Sequence, residues 1–287
     1  MVSLLSGQEQ LIREGSVEQR RAEIQSIRPD AERQRTIQLA DSLQLPDKVF
    51  FPDGRIIALR RITPNLTPEY LTTHNLMAAR TVSTNKVWSE GGLGYDLTGS
   101  GLIVGIWDGG VHRSGHVEFG DRALIIDGSA DVIGHATHVS GTIGSLGINE
   151  TARGMASKVV MEGYDWDQDV QEMEAAAAQG LLLSNHSYGT IAGWDYDTDE
   201  DHWKWWGSLA ISEEADYLFG FYGRDAQSYD RIARRYPNYL IVKSAGNDRG
   251  EGPSPGTEHF VWENGDWQAS TSIRPKDGGS DGFDSMG

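Results

Sequence analysis

The sequence predicts an α/β fold in which a doubly wound, mostly parallel sheet carries helices on both faces. Four short apolar runs have the length and composition of strands that are buried on both sides of such a sheet. One helical pattern separates each run from the next, as in consecutive βαβ units. The apolar runs cover residues 102–107, 159–161, 181–183 and 239–242, and the helical patterns cover residues 135–145, 169–179 and 224–235.

The residues before these units differ from them in composition and in hydrophobic pattern. Residues 8–44 are charged and helix-prone, which predicts one or two exposed helices. Residues 49–59 place apolar residues on either side of Pro52-Asp53-Gly54, which is typical of a β-hairpin. Residues 65–88 are polar and mixed, so we expect a connector there.

Length and charge indicate two domains. A chain of 287 residues can hold one large α/β domain and an appendage. We place a helical and hairpin region at residues 1–88 and the α/β domain at residues 89–287. The net charge is −17, and nearly all of it belongs to the second part, because residues 1–90 hold 12 basic and 11 acidic side chains. An acidic surface repels phosphate backbones and anionic lipid, so we expect neither nucleic acid nor a membrane as a partner.

Cysteine usage and hydropathy narrow the function classes further. The sequence has no Cys, which excludes disulfides, thiol catalysis and zinc bound by Cys. No apolar run approaches the roughly 18–20 residues that span a bilayer. No signal peptide is visible in this chain, so the expected location must follow from the function.

Polar residues follow three of the apolar runs, at the strand ends where ligands gather in open α/β sheets. Asp108 ends the first run and is followed by Gly109-Gly110. Ser187-Tyr188-Gly189 comes after the third run, and Asn247 comes after the fourth. Taken alone, a carboxylate at the position of Asp108 is compatible with metal, phosphate or ribose binding as well as with catalysis.

Two histidines open the first helical pattern. His135 and His138 are about one helical turn apart and therefore share a face. They could bind a metal, although no Glu lies in the segment to complete a common zinc motif. A helix-borne His beside a strand-end Asp also suits a general base, since the carboxylate fixes the imidazole tautomer. Either His taken singly is compatible with a structural role.

Asn247 stands after Gly246 at the end of the fourth run. An amide at such a position can donate a hydrogen bond to a developing oxyanion, although an Ala-Gly-Asn sequence is also a common turn.

The three motifs in this order resemble the subtilase family. They are Asp-Gly-Gly after a strand, His-Ala-Thr-His-Val-Ser-Gly-Thr at a helix start and Ser-Ala-Gly-Asn after a later strand, and the resemblance covers roughly residues 96–250. It implies a subtilisin-like fold and a secreted serine endopeptidase that forms an acyl-enzyme. The order Asp, His, Ser is that of subtilisin.

The resemblance also implies a role for each matching residue. Asp108 would orient the imidazole of His135, the general base and acid, and Asn247 would donate to the oxyanion. His138 would be structural. Ser187-Tyr188-Gly189 is similar to the family's Ser-Leu-Gly strand, which would bind an extended peptide by β-augmentation. No cofactor is implied for catalysis.

Two departures from the family pattern stand out. Ala136 replaces a Gly between the two histidines, which a helix tolerates. The Gly-Thr-Ser-Met-Ala motif of the nucleophile is absent, and Asp284-Ser285-Met286-Gly287 is the only similar string. We therefore expect a chain truncated before the nucleophilic Ser and inactive alone, with a missing C-terminal segment supplying that Ser.

Two regions remain open in the sequence. Residues 1–88 occupy the place of a propeptide, so they are interpreted as propeptide-like or as a retained extension. Residues 194–206 alternate carboxylates with aromatics. They could ligate structural Ca²⁺, line a substrate subsite, or form an acidic aromatic surface loop, which is the interpretation we favour.

Two other function classes stay open. A non-catalytic peptide-binding pseudoprotease would keep the cleft without the nucleophile. A metal-dependent hydrolase would use Asp108, His135 and His138 as ligands.

Overall fold

A computed structural model describes residues 22, 31–50, 56–63, 65–73, 84–88, 93–148, 152–247 and 250–277. The predicted turn at Pro52-Asp53-Gly54, most of the predicted N-terminal helices and the string at residues 284–287 lie outside the described residues.

The described elements follow one another along the chain. The helices are α1 Ala31–Leu43, α2 Gly134–Gly144, α3 Asp169–Ala178 and α4 Arg224–Arg235, with short 3-10 helices at Thr84–Val87 and Gly120–Arg122. The first strands are β1 Lys48–Phe50, β2 Ile56–Ile62, β3 Pro68–Thr73, β4 Ile103–Asp108, β5 Ala123–Ile125 and β6 Val160–Asp165. The later strands are β7 Leu183–His186, β8 Tyr188–Thr190, β9 Trp194–Asp197, β10 His202–Trp205, β11 Leu240–Lys243, β12 His259–Glu263 and β13 Asp266–Ser270.

Two compact units share these elements. The first unit comprises residues 1–28, 79–186 and 227–242, and the second comprises residues 29–78, 187–226 and 243–287. The units are interleaved along the sequence, so they do not test a domain boundary at one position, and the boundary after residue 88 stays a prediction.

The first unit is built on a five-stranded sheet with the order β11-β7-β4-β6-β5. Strand β4 pairs in parallel with β6 and β7, and β5 pairs in parallel with β6. Helix α2 follows β4 and β5, and helix α3 connects β6 to β7. These parallel connections confirm the predicted α/β fold class.

Apolar side chains of the central strands form the core of this unit. Val104 and Ile106 of β4 pack with Met161 of β6 and with Val139 of α2. All four side chains are at least 95% buried. The continuous apolar runs predicted for these strands follow from burial on both sheet faces.

The second unit contains two further sheets. One has the order β1-β2-β3-β8, with every neighbouring pair antiparallel. The pairing of β1 with β2 confirms the predicted hairpin. The other sheet has the order β13-β12-β10-β9, in which β10 and β12 are parallel and the outer pairs are antiparallel.

Two sequence-based expectations are wrong in this unit. The predicted connector at residues 65–88 contains strand β3, whose polar sequence is stabilised by pairing on both edges with β2 and β8. Residues 194–206 do not form a surface loop, because they fold into strands β9 and β10 and bury Trp194, Trp205 and Trp206 to 91% or more. Pairing partners distant in the sequence override the weak local pattern in both cases.

No helix among the described residues is long and apolar enough to cross a membrane.

Candidate active site

Asp108 is the last residue of β4, in the centre of the five-stranded sheet. Its side chain is fully buried. The backbone N–H of Gly109 donates a hydrogen bond of 2.7 Å to its Oδ1 atom. The strand end therefore holds a desolvated carboxylate in a fixed orientation.

The chain is folded so that the segment after Asp108 lies beside the segment before His135. Val111 and Val132 form a parallel β-bridge. The N–H of Val111 donates to the carbonyl of Asp131 at 2.8 Å, and the N–H of Ile133 donates to the carbonyl of Val111 at 3.1 Å. This bridge brings together the side chains of Asp108 and His135, which are 27 residues apart in the sequence.

Glycine is required at position 110 by the same bridge. A Cβ atom at Gly110 would lie 2.4 Å from the carbonyl oxygen of Asp131 and 2.9 Å from the side chain of Ile133. The close approach of the two backbones is therefore possible only without a side chain there.

The imidazole of His135 contacts the carboxylate of Asp108 directly. Nδ1 lies 2.7 Å from Oδ2 and 2.9 Å from Oδ1. A proton on Nδ1 is donated to this carboxylate, which leaves Nε2 as the basic nitrogen. Nε2 is buried and has no hydrogen-bond partner among the described residues. The arrangement matches that of an acid-base pair whose imidazole is oriented by a carboxylate.

Burial raises the pKa of Asp108, while the hydrogen bonds from His135 and from the backbone of Gly109 act in the opposite direction. Little water screens this buried carboxylate, so its interaction with the neighbouring imidazole is strong.

A second buried pair joins the segment after Asp108 to helix α2, and sequence reasoning missed it. His112, four residues after Asp108, places Nδ1 2.9 Å from Oγ of Ser140 on α2. Both side chains are fully buried. Burial lowers the pKa of His112 to about 4, so this imidazole is neutral at pH 7. No local pattern in the sequence distinguishes His112 from a surface residue.

His138 lies on an exposed part of α2. Within the described ranges, His138 does not join Asp108 and His135 in a group whose ligand atoms lie within 4.8 Å of one another. The geometry therefore does not favour the metal-dependent hydrolase.

Tyr188 and Gly189 lie in β8, and Ser187 directly precedes that strand. Ser187 and Tyr188 are buried, and Nζ of Lys243 lies 2.7 Å from the carbonyl oxygen of Tyr188, to which it donates a hydrogen bond. One edge of β8 pairs antiparallel with β3, with Tyr188 opposite Thr73 and Gly189 opposite Thr72. The strand that the sequence assigns to an extended substrate thus binds an extended segment of this chain.

Asn247 follows β11 and is exposed. Gly246 just before it has a φ of 94°, in the left-handed region that favours glycine. The turn that presents the amide therefore depends on this glycine.

A group of three potential metal ligands lies in the β9–β10 hairpin. It consists of Asp197, Glu200 and His202. Nζ of Lys204 lies 2.7 Å from Oδ2 of Asp197 and 3.1 Å from Oε2 of Glu200, so a cation already pairs with both carboxylates. Calcium prefers oxygen ligands, so this set of residues does not fit a calcium site.

Comparison with solved structures finds similarity to two subtilisin-like enzymes. A cold adapted subtilisin-like serine proteinase is 21% identical, with 54% of this chain and 50% of that chain covered and a TM-score of 0.34. Fervidolysin from Fervidobacterium pennivorans, a keratinolytic enzyme related to subtilisin, is 17% identical, with 66% and 29% covered and a TM-score of 0.35. The chain spans half or less of the length of these two proteins. No curated protein matches the sequence.

Comparison with protein-family models identifies one family. The model of the Subtilase family matches residues 99–270, which is more than half of the chain and includes Asp108, His135, β8 and Asn247. The protein therefore belongs to the subtilase family of serine peptidases.

Proposed function

We propose that this chain carries the acid-base machinery of a subtilisin-like serine endopeptidase. The observation that carries the proposal is the hydrogen bond between the buried carboxylate of Asp108 and Nδ1 of His135. Asp108 fixes the tautomer and His135 acts as general base and then as general acid. Asn247 is the oxyanion donor in this proposal.

The proposed reaction is peptide-bond hydrolysis through an acyl-enzyme. Nε2 of His135 takes the hydroxyl proton of the nucleophilic Ser as its oxygen attacks the peptide carbonyl. The imidazolium, stabilised by Asp108, then donates that proton to the leaving amine as the C–N bond breaks. A water molecule, deprotonated by the same nitrogen, hydrolyses the acyl-enzyme and restores the Ser hydroxyl.

The proposed substrates are extended peptides or unfolded protein segments bound along β8. Backbone hydrogen bonds to a strand edge read few side chains, so broad sequence tolerance is expected. The acidity of the chain, at a net charge of −17, supports proteins and not nucleic acid or anionic membranes as partners. We also propose that the enzyme is secreted, as subtilases commonly are.

We propose that residues 1–88 act as an inhibitory propeptide. Strand β3 of this region pairs antiparallel with β8, which is the geometry expected for a peptide substrate. A segment that occupies the substrate strand competes with substrate for the same backbone groups. The pairing supports a propeptide over a retained extension.

We propose that the nucleophile comes from sequence outside these 287 residues and that Ser285 is not the nucleophile. Exposed apolar side chains at β11 and just before β7 support the proposal. Leu182, Leu240 and Val242 are 53%, 60% and 45% exposed. Parallel sheets are covered on both faces, so a further element is expected to pack on this apolar surface. The 287-residue polypeptide alone is then without peptidase activity.

Labelling with a fluorophosphonate tests the proposal directly. The 287-residue chain and the same chain extended by the sequence encoded downstream, each with its inhibitory N-terminal region removed, are treated with the probe, and the labelled residue is identified by mass spectrometry. We expect labelling of the extended chain at a Ser after residue 287, and no labelling of Ser285 in either protein. His135→Ala should abolish labelling of the extended chain, whereas His138→Ala should not.

A peptide-binding pseudoprotease is the second candidate, because the pairing of β3 with β8 needs no nucleophile. A folded extended chain that binds peptides but takes no label would favour it over the peptidase.

A further inference from the structure

The mixed sheet of the second unit carries tryptophans on both faces, and the two faces have different neighbours. We call β9, β10, β12 and β13, together with Trp206 directly after β10, the tryptophan sheet. On one face, Trp194, Trp205 and Val261 form a core cluster with Trp203 at its side. On the other face, Trp206 and Trp267 pack with residues of the N-terminal region.

An unbroken series of aromatic contacts joins β3 to the second face. The ring of Tyr70 meets that of Trp206 edge to face at 5.2 Å between centroids. Trp206 meets Trp267 at 5.0 Å, and Trp267 meets Trp262 at 5.3 Å, both also edge to face. Tyr70 is 98% buried and Trp206 is 92% buried. Edge-to-face pairs stabilise beyond the area that they bury, and they require specific ring positions.

The turn between β2 and β3 is bound at the far end of this series. Leu66 has a φ of 64°, and its carbonyl accepts a hydrogen bond of 3.2 Å from Nε1 of Trp262. The tryptophan sheet therefore contacts the turn between β2 and β3 through Trp262 and strand β3 through Trp206.

An ion-pair network adds a charged contact of the N-terminal segment with Asp225, which lies on α4 and outside the tryptophan sheet. The guanidinium of Arg61 donates to both carboxylate oxygens of Asp225 at 3.3 Å and also to Glu69. Arg60 lies 3.7 Å from the same Asp225 carboxylate. Two-pronged pairing of an Arg with a carboxylate is specific in geometry as well as in charge.

These contacts differ in kind from the pairing of β3 with β8. Backbone pairing along β8 accepts many sequences and cannot by itself select one segment over another. Tyr70, the turn at Leu66 and Arg61 are recognised through side chains or a particular backbone conformation. The selectivity for the N-terminal segment must therefore come from outside β8.

We propose that the tryptophan sheet is a recognition surface for this chain's own segment Ala31–Thr73, separate from the substrate strand, with Trp206 as its central contact. The surface binds that segment non-covalently, so the segment stays in place when the chain that follows it is cut. The inference concerns binding alone and does not depend on peptidase activity.

A nicked form of the 287-residue protein tests the proposal. Residues 76–82 are replaced by the recognition sequence of a site-specific endoprotease, and the purified chain is cut there. Size-exclusion chromatography with mass spectrometry then follows release of the N-terminal piece after dilution. We expect the piece to stay bound in the parent protein. Trp206→Ala should speed its release by about 100-fold or more, as loss of a buried Trp side chain implies.

Matched variants separate recognition from general loss of folding. Trp203→Ala removes the same residue type from the opposite face of the tryptophan sheet, and release should change less than about threefold. Tyr70→Ala should speed release on its own. The double variant Tyr70→Ala/Trp206→Ala should release the piece only slightly faster than the faster single variant. Its fold-change in release rate should be far below the product of the two single fold-changes, because the two side chains share one contact.

Two outcomes would overturn the proposal. Release of the parent's N-terminal piece immediately on cutting would show that these contacts do not hold it. Equal effects of Trp203→Ala and Trp206→Ala on release, with far-ultraviolet circular dichroism unchanged in both, would show that the Trp206 face does not hold the segment more tightly than the opposite face does. Either result leaves the peptidase proposal intact, since fluorophosphonate labelling tests that separately.

Discussion

The hydrogen bond between Asp108 and His135 depends on residues that take no part in chemistry. The backbone of Val111 pairs with that of Asp131 and Ile133, and Gly110 permits the close approach. The sequence could predict the Asp and the His from strand-end position and motif. It could not predict the bridge, because a two-residue parallel pairing has no hydrophobic period of its own.

Gly110→Ala should therefore disturb the candidate site. The added Cβ would meet a backbone carbonyl that cannot move without breaking the bridge, so we expect a loss of about 1–3 kcal/mol in the free energy of unfolding. Gly115→Ala is the matched control, since nothing lies within 4 Å of its Cβ. Urea unfolding measures both. Equal stability of the two variants would contradict the role given to Gly110.

The protonation state of Glu172 is set by its surroundings. It lies on α3, 96% buried, and accepts a hydrogen bond of 2.9 Å from Nε1 of Trp107, which immediately precedes Asp108. Burial first, and then the charge of Asp127, raises the pKa of Glu172 to about 9. The side chain is therefore neutral at pH 7.

The raised pKa of Glu172 should make the stability of the protein depend on pH. Between pH 4.5 and about 9 the unfolded chain releases a proton from Glu172 that the folded protein keeps. Stability therefore falls as the pH rises through this window, by up to about 1.4 kcal/mol per pH unit from this group. Gln cannot release a proton and accepts the same hydrogen bond, so Glu172→Gln should lose this contribution and gain stability over the parent as the pH rises.

Urea unfolding at several pH values from 5 to 8.5 measures the effect. Glu174→Gln, an exposed change on the same helix, should keep the pH dependence of the parent. Parallel stability profiles for the parent and Glu172→Gln would contradict the raised pKa.

At the scale of elements, the sequence predicts best where one strand or helix carries its own pattern. The apolar runs of β4 and β6 were predictable because burial on both faces leaves a continuous apolar signature, whereas β11 carries a similar apolar run and is partly exposed. The three helices between the predicted strands were predictable from their own patterns. Strands β3, β9 and β10 were not, because polar and aromatic residues mix there and the pairing partners are distant in sequence. The distribution of tryptophans over two faces was visible only once the register was known.

The β9–β10 hairpin shows how an element can be stabilised by one cation. Burial alone would raise the pKa of Asp197, but hydrogen bonds from Lys204 and from the backbone of Glu200 hold it below its ordinary value. The contribution of Asp197 to stability is therefore present at neutral pH and is lost as the pH falls through its lowered pKa.

Lys204→Met should destabilise the hairpin. Removing the ammonium leaves a partly buried carboxylate without its charged partner, so we expect a loss of about 1–3 kcal/mol at pH 7. The loss should shrink in acid, where Asp197 is protonated in both proteins. Thermal unfolding at pH 7 and at low pH measures it, with the exposed change Lys158→Met as control. A loss that is the same at both pH values would contradict the ion pair as its cause.

At the scale of the whole molecule, the chain combines the proposed catalytic pair with a segment that pairs with the proposed substrate strand. Asp108 and His135 belong to the first unit, and β3, β8 and the tryptophan sheet belong to the second. The family and the fold class were predictable from three short motifs. The pairing of β3 with β8 was not, because a strand edge has no sequence signature that names its partner.

The proposed catalytic role of the Asp108–His135 pair is tested most directly by the turnover of a peptide substrate. The extended chain with its N-terminal region removed is compared with the same protein carrying Asp108→Asn, which preserves shape but disfavours the tautomer that leaves Nε2 basic. We predict that kcat falls by about 10⁴-fold with KM little changed, as in other serine peptidases with this pair. A folded Asp108→Asn enzyme that keeps kcat within a factor of about ten would contradict the account.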